Sequence, residues 1–402
     1  MVSYYHGNET GQPVGILGSP YEFWEAGTMF DALIQYWKLT GDDQYNGIVA
    51  TGILAQEGQK DDFMPANQTA SEGNDDQGIW ALAAMSAAES KLPDSSSTTW
   101  VELAEAVFNE YVSRWDTSTC NGGLRWQIEP FNAGYTYKNS VSNGAFFQLA
   151  ARLARYTGNS TYSDWASKVF DWTTSIGLVT GDWSVFDGAS TTTNCTDVDD
   201  SQFSYVAGMF ISGAAHMYNT TNGSAQWEAP LSGLVNRTLS SFFINGIATE
   251  ATCEDSQING TCSSEIQPFK GMLGRWLVDA MEMAPFISAK VMPVFTITAA
   301  AAAKSCTQGA SGTGCQFYWN SANGNDSGVG LGADLDALSY VQGLLANQVA
   351  TQATGTAGST GSTTSGSASP TTSQSGGIAV RGEHISMSFC AGIFGSIAWL
   401  IL

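Results

Sequence analysis

Tyr36-Trp37-Lys38-Leu39-Thr40-Gly41-Asp42-Asp43-Gln44-Tyr45 and Ala154-Arg155-Tyr156-Thr157-Gly158-Asn159-Ser160-Thr161-Tyr162 follow one pattern: a helical stretch closes on Gly, polar residues turn the chain, and Tyr opens the next helix. Glycine accepts the left-handed backbone on which helices commonly end, so both stretches predict tight helix-to-helix turns. The echo predicts a chain built by repeating one helix pair. Outward from these turns, apolar residues recur at helical spacing in about eleven segments, and strand-like alternation never exceeds a few residues. Six segments rich in Gly, aromatic and polar residues, about 22–38, 76–90, 142–156, 202–218, 268–283 and 333–348, are expected as inner helices. Amphipathic segments at about 43–56, 98–115, 161–177, 225–243 and 287–303 are expected outside them, and Met1 to His6 fits the end of a sixth. Short turns then share one rim, while links of roughly twenty residues, at 57–75, 116–141, 178–201, 244–267 and 304–327, share the other. The expected fold is all-α, an (α/α)6 toroid of six helix hairpins. A helical solenoid meets the same periodicity, which does not show ring closure.

The helical pattern runs without a Pro/Gly linker to about residue 350, so 1–350 is expected as one large domain. Lys and Arg total 15 against 37 Asp and Glu, a formal charge of -22, which disfavours nucleic acid and anionic membrane surfaces as partners. Only 13% of residues are charged while 43% are hydrophobic, so Ser, Thr, Asn and Gly must supply most of the polar surface. Asn8, Asn67, Asn159, Asn194, Asn219, Asn222, Asn236, Asn259 and Asn325 each open an Asn-x-Ser/Thr triplet, as expected of a secreted glycoprotein. Seven cysteines agree with an oxidising compartment. Cys253/Cys262 and Cys306/Cys315 are close pairs in loops and leave Cys120 for Cys195, although six cysteines admit other connectivities. Cys390 falls in the tail. The start, Met1-Val2-Ser3-Tyr4-Tyr5-His6, has neither the basic nor the apolar region of a signal peptide and reads as truncated. Residues 351–377 are a Ser/Thr/Gly-rich stalk ending in small residues, and 378–402 are a polar spacer followed by an apolar run, the order of a cleaved GPI-attachment signal. A transmembrane helix is the alternative for that run.

Ser71-Glu72-Gly73-Asn74-Asp75-Asp76-Gln77-Gly78-Ile79-Trp80 lies where a long loop enters an inner helix. Asn74 or Asp75 can cap the helix, which puts two carboxylates at its mouth. Glycoside hydrolysis needs such a pair, one charged at the anomeric carbon and one protonated for the departing oxygen. The helix N-terminus favours ionisation of the nearer acid and like-charge repulsion raises the other. A capping Asp followed by a first-turn Asp explains the same residues without catalysis. Asp42-Asp43, Asp61-Asp62 and Asp199-Asp200 lie in a short turn or in loops, outside a context such as Gly78-Ile79-Trp80.

That neighbourhood resembles glycoside hydrolase family 76, the α-1,6-mannanases, and specifically its fungal GPI-anchored cell-wall branch. The resemblance rests on Tyr21-Glu22-Phe23-Trp24-Glu25-Ala26-Gly27, Asn74-Asp75-Asp76-Gln77, Gly122-Gly123-Leu124-Arg125-Trp126, Tyr137-Lys138-Asn139-Ser140-Val141-Ser142-Asn143-Gly144, Gln202-Phe203-Ser204-Tyr205 and Phe269-Lys270-Gly271. It implies an (α/α)6 barrel and retaining chemistry, with Asp75 as nucleophile and Asp76 as general acid/base. Sugar recognition calls for aromatic faces and for amide or carboxylate groups, so Trp24, Trp126, Asn139, Gln202 and Tyr205 are substrate candidates. Lys270, early in an apolar helix, must reach a carboxylate, a phosphate or the cavity, and an ion pair with Asp279 or Glu265 is the structural alternative. Asp187 is a further candidate contact.

Other chemistries find little support. His6, His216 and His384 leave a triad or a histidine metal site to rest on His216 alone. Gly328-Val329-Gly330-Leu331-Gly332 has the wrong spacing for a nucleotide loop. Asn323, Asn325, Ser327 and Asp334 match calcium-loop offsets without its first acid or final Glu. No metal and no cofactor is assigned, and a monomer is expected. The resemblance implies an α-mannoside-active enzyme outside the plasma membrane or in the cell wall, held to the membrane only by a GPI anchor. It takes mannan or a GPI-core glycan as donor and either water or β-glucan as acceptor. A mannan-binding wall protein without catalysis is the non-enzymatic alternative, against which the intact Asp pair argues.

Overall fold

The computed structural model describes residues 1–346 apart from 95–96, 255–261, 308–311 and 321–328. Met1–Ala346 forms one compact unit. The expected stalk and tail, Cys390, His384 and the sequons at Asn259 and Asn325 lie outside the described residues.

Among the described residues twelve helices follow in order: α1 (Phe23–Thr40), α2 (Asn46–Leu54), α3 (Asn74–Glu89), α4 (Trp100–Arg114), α5 (Ser140–Thr157), α6 (Ser160–Ser175), α7 (Ser204–Thr220), α8 (Ala225–Phe242), the single turn α9 (Ala251–Glu254), α10 (Phe269–Met283), α11 (Ser288–Ser305) and α12 (Leu331–Gly343). Gly41 (φ 77°) ends α1 and Gly158 (φ 72°) ends α5, each donating its N–H to the carbonyl four residues back. The two echoed turns therefore share one capping geometry.

Burial separates two layers. Every residue of α5 from Ser140 to Ala154 is buried, as expected of a helix enclosed on all sides. In α4 the buried positions are Trp100, Leu103, Ala104, Val107, Phe108 and Tyr111, a single stripe. The inner helices α1, α3, α5, α7, α10 and α12 pack in succession, and α12 returns to α1. There the Gln342 amide donates to the Ala32 carbonyl (3.3 Å) and to Gln35 Oε1 (3.1 Å). This contact closes the ring and excludes the open solenoid. Close approach of α3, α4 and α5 depends on Gly78, where a Cβ would stand 2.5 Å from the Tyr111 hydroxyl and 2.7 Å from Ala145 Cβ. Pro285–Ser305 is long and apolar enough to cross a membrane, yet Val291, Phe295, Thr298, Ala299 and Ala302 of α11 are buried against the ring. The place proposed for a sixth outer helix holds one 3-10 turn, Val2–Tyr4.

The long links carry short strands that the sequence reading did not anticipate. β1 (Tyr137–Asn139), β2 (Gly188–Ser190) and β3 (Val198–Asp199) form an antiparallel sheet, and β4 (Phe243–Ile244) pairs with β5 (Ile247–Ala248). Disulfides join Cys120 to Cys195, Cys253 to Cys262 and Cys306 to Cys315 in the same links. The first ties the link before α5 to the link before α7, closing a loop of 75 residues and restricting the unfolded chain.

Trp80, fully buried in α3, packs against Phe23 (5.0 Å between ring centroids), Phe63 (6.0 Å) and Phe30 (6.1 Å). Trp80→Ala is expected to lower stability by about 3–5 kcal/mol, measured by denaturant unfolding with the disulfides intact. An unchanged midpoint would contradict the packing.

Candidate active site

Helix α3 begins where two loop segments are stitched together. The Asn74 N–H donates to the Trp126 carbonyl (2.9 Å), its side-chain amide donates to the Arg125 carbonyl (2.9 Å), and Gly73 pairs with Gln127 in an antiparallel bridge. Behind this seam Arg114 donates to Asn74 Oδ1 (3.0 Å) and Gln77 Oε1 (2.6 Å), while the Tyr111 hydroxyl donates to the Asn74 carbonyl. The residues on both sides of Asp75-Asp76 are thus fixed from the rear.

The Asp76 carboxylate accepts from the Gly73 N–H (2.8 Å), and Asp75 Oδ1 accepts from the Asp76 N–H (3.1 Å). Both acids occupy the first turn of α3, facing the positive end of the helix dipole. They open into a cleft of about 200 Å³. Trp24, Trp126, Tyr205 and Phe269 supply its aromatic walls, and Glu22 and Glu265 add two more carboxylates. Tyr205 stacks on Phe269 at 3.9 Å between centroids. Among the described residues no Lys, Arg, His or Cys lines the cleft.

Burial pushes the Asp75 carboxyl well above the carboxylate range, and the neighbouring Asp76 charge adds to the shift. Burial also lifts Asp76, to about 6, against the lowering effect of the Gly73 N–H and with the help of the Glu22 and Glu265 charges. Near neutral pH the two carboxyls therefore share one proton as a coupled pair. The N-cap of α3 is Gly73, not Asn74 or Asp75, and Asp76 is the acid that accepts at the cap; desolvation is the largest influence on both carboxyls. Glu72 lies beside the pair, 3% exposed with both oxygens unpaired, and is pushed up to about 9 by burial and then by Asp76. A neutral Glu72 spares the site a further buried negative charge.

Of the other candidates, Trp24, Trp126 and Tyr205 share the cleft with the Asp pair, whereas Asn139, Gln202, Lys270 and Asp187 are not among its lining residues. Asn139 caps α5, accepting from the Ser142 N–H (3.3 Å). Gln202 stands before α7, its carbonyl accepting from the Thr252 hydroxyl (2.6 Å). Asp187 accepts from the Tyr137 hydroxyl (2.8 Å) and ties two links together. Lys270 is fully buried, paired with Glu254 at 2.9 Å, and donates to the Phe317 carbonyl (2.6 Å) between the Phe317 and Trp319 rings. It has no access to the cleft, and its partner is neither Asp279 nor Glu265. Glu22, Glu265, Glu72 and Phe269 were missed as site residues. A signal existed for Glu22, the N-cap of α1, because the reasoning that placed acids at the mouth of α3 applies there too.

A smaller cavity of about 40 Å³ lies at the other end of the inner helices, lined in part by Asp31, Lys38, Glu89, Arg152, Arg275 and Asp279. Ion pairs fill this region, among them Arg152–Glu89 (2.8 Å) and Lys38–Glu282 (2.6 Å). Glu89, His216 and Asp279 come close enough there to hold a metal ion, but Glu89 already bonds Arg152 and Asp279 bonds the Ser212 hydroxyl (2.6 Å).

The family model for glycosyl hydrolase family 76 matches residues 1–356. The chain is 43% identical to mannan endo-1,6-alpha-mannosidase DFG5 of Saccharomyces cerevisiae over 349 residues, 86% of this chain and 75% of that one. Similarity to mannan endo-1,6-alpha-mannosidase DCW1 of Candida albicans is 36% over 416 residues, covering 100% of this chain and 91% of the other. Among solved structures, Dfg5 from Chaetomium thermophilum in complex with glucosamine superposes with a TM-score of 0.82 at 40% identity, over 86% of this chain and 88% of that one. The GH76A alpha-1,6-mannanase of Salegentibacter sp. HEL1_6 shares the fold at TM-score 0.65 and 18% identity, over 83% and 94% of the two chains. A closed helical ring with paired carboxylates at its loop rim is thus found where sequence kinship also points, and the chain belongs to glycosyl hydrolase family 76 as a glycosidase.

Proposed function

We propose that the chain cleaves α-1,6-linked mannosides with retention and hands the mannosyl group to a sugar acceptor at the fungal cell surface. The observation that carries the reading is the adjacent pair Asp75-Asp76, fixed from behind and facing an aromatic-walled cleft. In the retaining scheme Asp75 attacks the anomeric carbon while Asp76 protonates the departing oxygen, and Asp76 then deprotonates the incoming hydroxyl. The proton that the pair shares near neutral pH is the one this scheme places on Asp76 for the departing oxygen, leaving Asp75 ionised to attack.

Four carboxylates and no cation among the described lining residues suit a donor carrying positive charge, and the mannose core of a GPI glycan is joined to an unacetylated glucosamine. The glucosamine bound to the Chaetomium relative supports this choice of donor. Asp187, Gln202 and Asn139, outside the lining, and Lys270, in its buried ion pair, are not needed for it. The acceptor in this reading is β-glucan of the wall. Sequons, disulfides and the composition of 351–402 support a secreted, GPI-anchored protein with stalk 351–377 and cleaved tail 378–402. Tethering would hold enzyme and tethered donors at high effective concentration. Hydrolysis is the second reading, favoured by the relatives' name, mannan endo-1,6-alpha-mannosidase.

Purified protein incubated with a GPI-core α-mannoside and a β-1,3-glucan is expected to yield a joined product by mass spectrometry. The product should be absent with Asp75→Ala and reduced about 10²–10⁴-fold with Asp76→Ala. Free mannoside alone would select hydrolysis, and full activity in both variants would remove the Asp pair from the chemistry. The pH profile of kcat/KM provides a second test. Below about pH 6 Asp76 takes up a proton, the pair becomes neutral and no carboxylate remains to attack, so the rate should fall as pH drops through that value. A rate that stays flat from pH 7 to pH 4 would contradict this assignment.

A further inference from the structure

Phe131 is 73% exposed, more than any other large apolar side chain among the described residues. It sits on the 127–136 loop, which is closed at its base where the Trp126 N–H donates to the Tyr137 carbonyl (2.7 Å). Next to Phe131, the Asn132 amide donates to Gln127 Oε1 (3.1 Å), a cleft residue, and to the Ala70 carbonyl (2.9 Å) in the segment leading to Asp75. Gly134 lies so close over Trp126 that a Cβ would stand 2.3 Å from the indole. Arg125 holds the far side, donating to the Tyr135 carbonyl (2.9 Å) and stacking its guanidinium 4.6 Å from the Tyr135 ring centroid. The loop is thus held to the cleft residues Trp126 and Gln127 through Gly134 and Asn132, and it carries the exposed Phe131 ring next in sequence to Asn132.

We infer that Phe131 and Trp126 form an outlying carbohydrate subsite, taking by its C–H face a pyranose ring of the glycan beyond the residues that react. Resting on the reading of the cleft as a mannoside site, it extends that site along the chain. Phe131 offers no hydrogen bond, so it recognises the apolar face of a sugar rather than its hydroxyls. A glucose ring with all substituents equatorial presents such a face on both sides, whereas mannose carries an axial hydroxyl on one. Donor mannan and acceptor β-glucan both contain pyranose rings, and the experiment separates them.

The full chain carrying Asp75→Asn, which binds without turnover, would be titrated calorimetrically with α-1,6-mannooligosaccharides and with β-1,3-glucooligosaccharides, with and without Phe131→Ala or Phe131→Trp. Phe131→Ala is expected to weaken the longer members of one series roughly three- to tenfold and leave its disaccharide unchanged, and Phe131→Trp to restore binding. The affected series identifies the chain as donor or acceptor. Unchanged affinity for long members of both series overturns the subsite alone. An equal loss for disaccharide and long chain also overturns it, because that result reports a disturbed cleft. If the Asp75→Asn parent binds neither series, the subsite falls together with the α-mannoside reading.

Discussion

The hydrogen bond from the Asn74 N–H to the Trp126 carbonyl holds the start of α3 to the far loop, and the chemistry depends on that seam. On one side of it lie Asp75 and Asp76, on the other Trp126, and the cleft is the space between them and the mouths of α1, α7 and α10. Arg114 makes the seam rigid because a single guanidinium serves both Asn74 and Gln77, the residues flanking the pair. Small displacements of paired carboxylates are costly in a reaction that requires both at once. The layered ring, with its enclosed inner helices, supplies the stiffness that the loops lack.

Polar groups at the mouths of the inner helices recur around the ring. Glu25 accepts from the Glu22 N–H at the start of α1, Glu250 accepts from Ser204 at α7, and Asp336 of α12 accepts from the Gly271 N–H of α10. Each satisfies a backbone donor that has no partner within its helix. Burial raises Glu25 to about 7 and Glu250 to about 8, so these two helix-mouth acids are reluctant to ionise. At α3 the same structural device places two acids side by side at the cleft, where they share a proton.

Much of this was legible in the sequence, for definite physical reasons. The span 142–156 became Ser140–Thr157 and 225–243 became Ala225–Phe242, because the all-round burial of one and the stripe of the other leave different residue patterns. Gly41 and Gly158 marked the turns through their left-handed backbones. β1 to β3 were not legible, since ladders of two or three residues have no period to detect. The destination of Lys270 was half legible: a lysine in an apolar helix demands a carboxylate, but only the folded loop shows that Glu254 provides it. The upward shift of both Asp75 and Asp76 comes first from desolvation, which is a property of the folded cleft and not of the local sequence.

The central claim is that Asp75 forms a bond to the sugar. Incubation with a 2-fluoro mannosyl donor, which slows release of the glycosyl-enzyme, followed by proteolysis and peptide mass mapping, tests it directly. The account predicts a mannosyl adduct on Asp75. An adduct on Asp76 would reverse the two roles, and product of inverted anomeric configuration with no adduct would contradict the retaining mechanism.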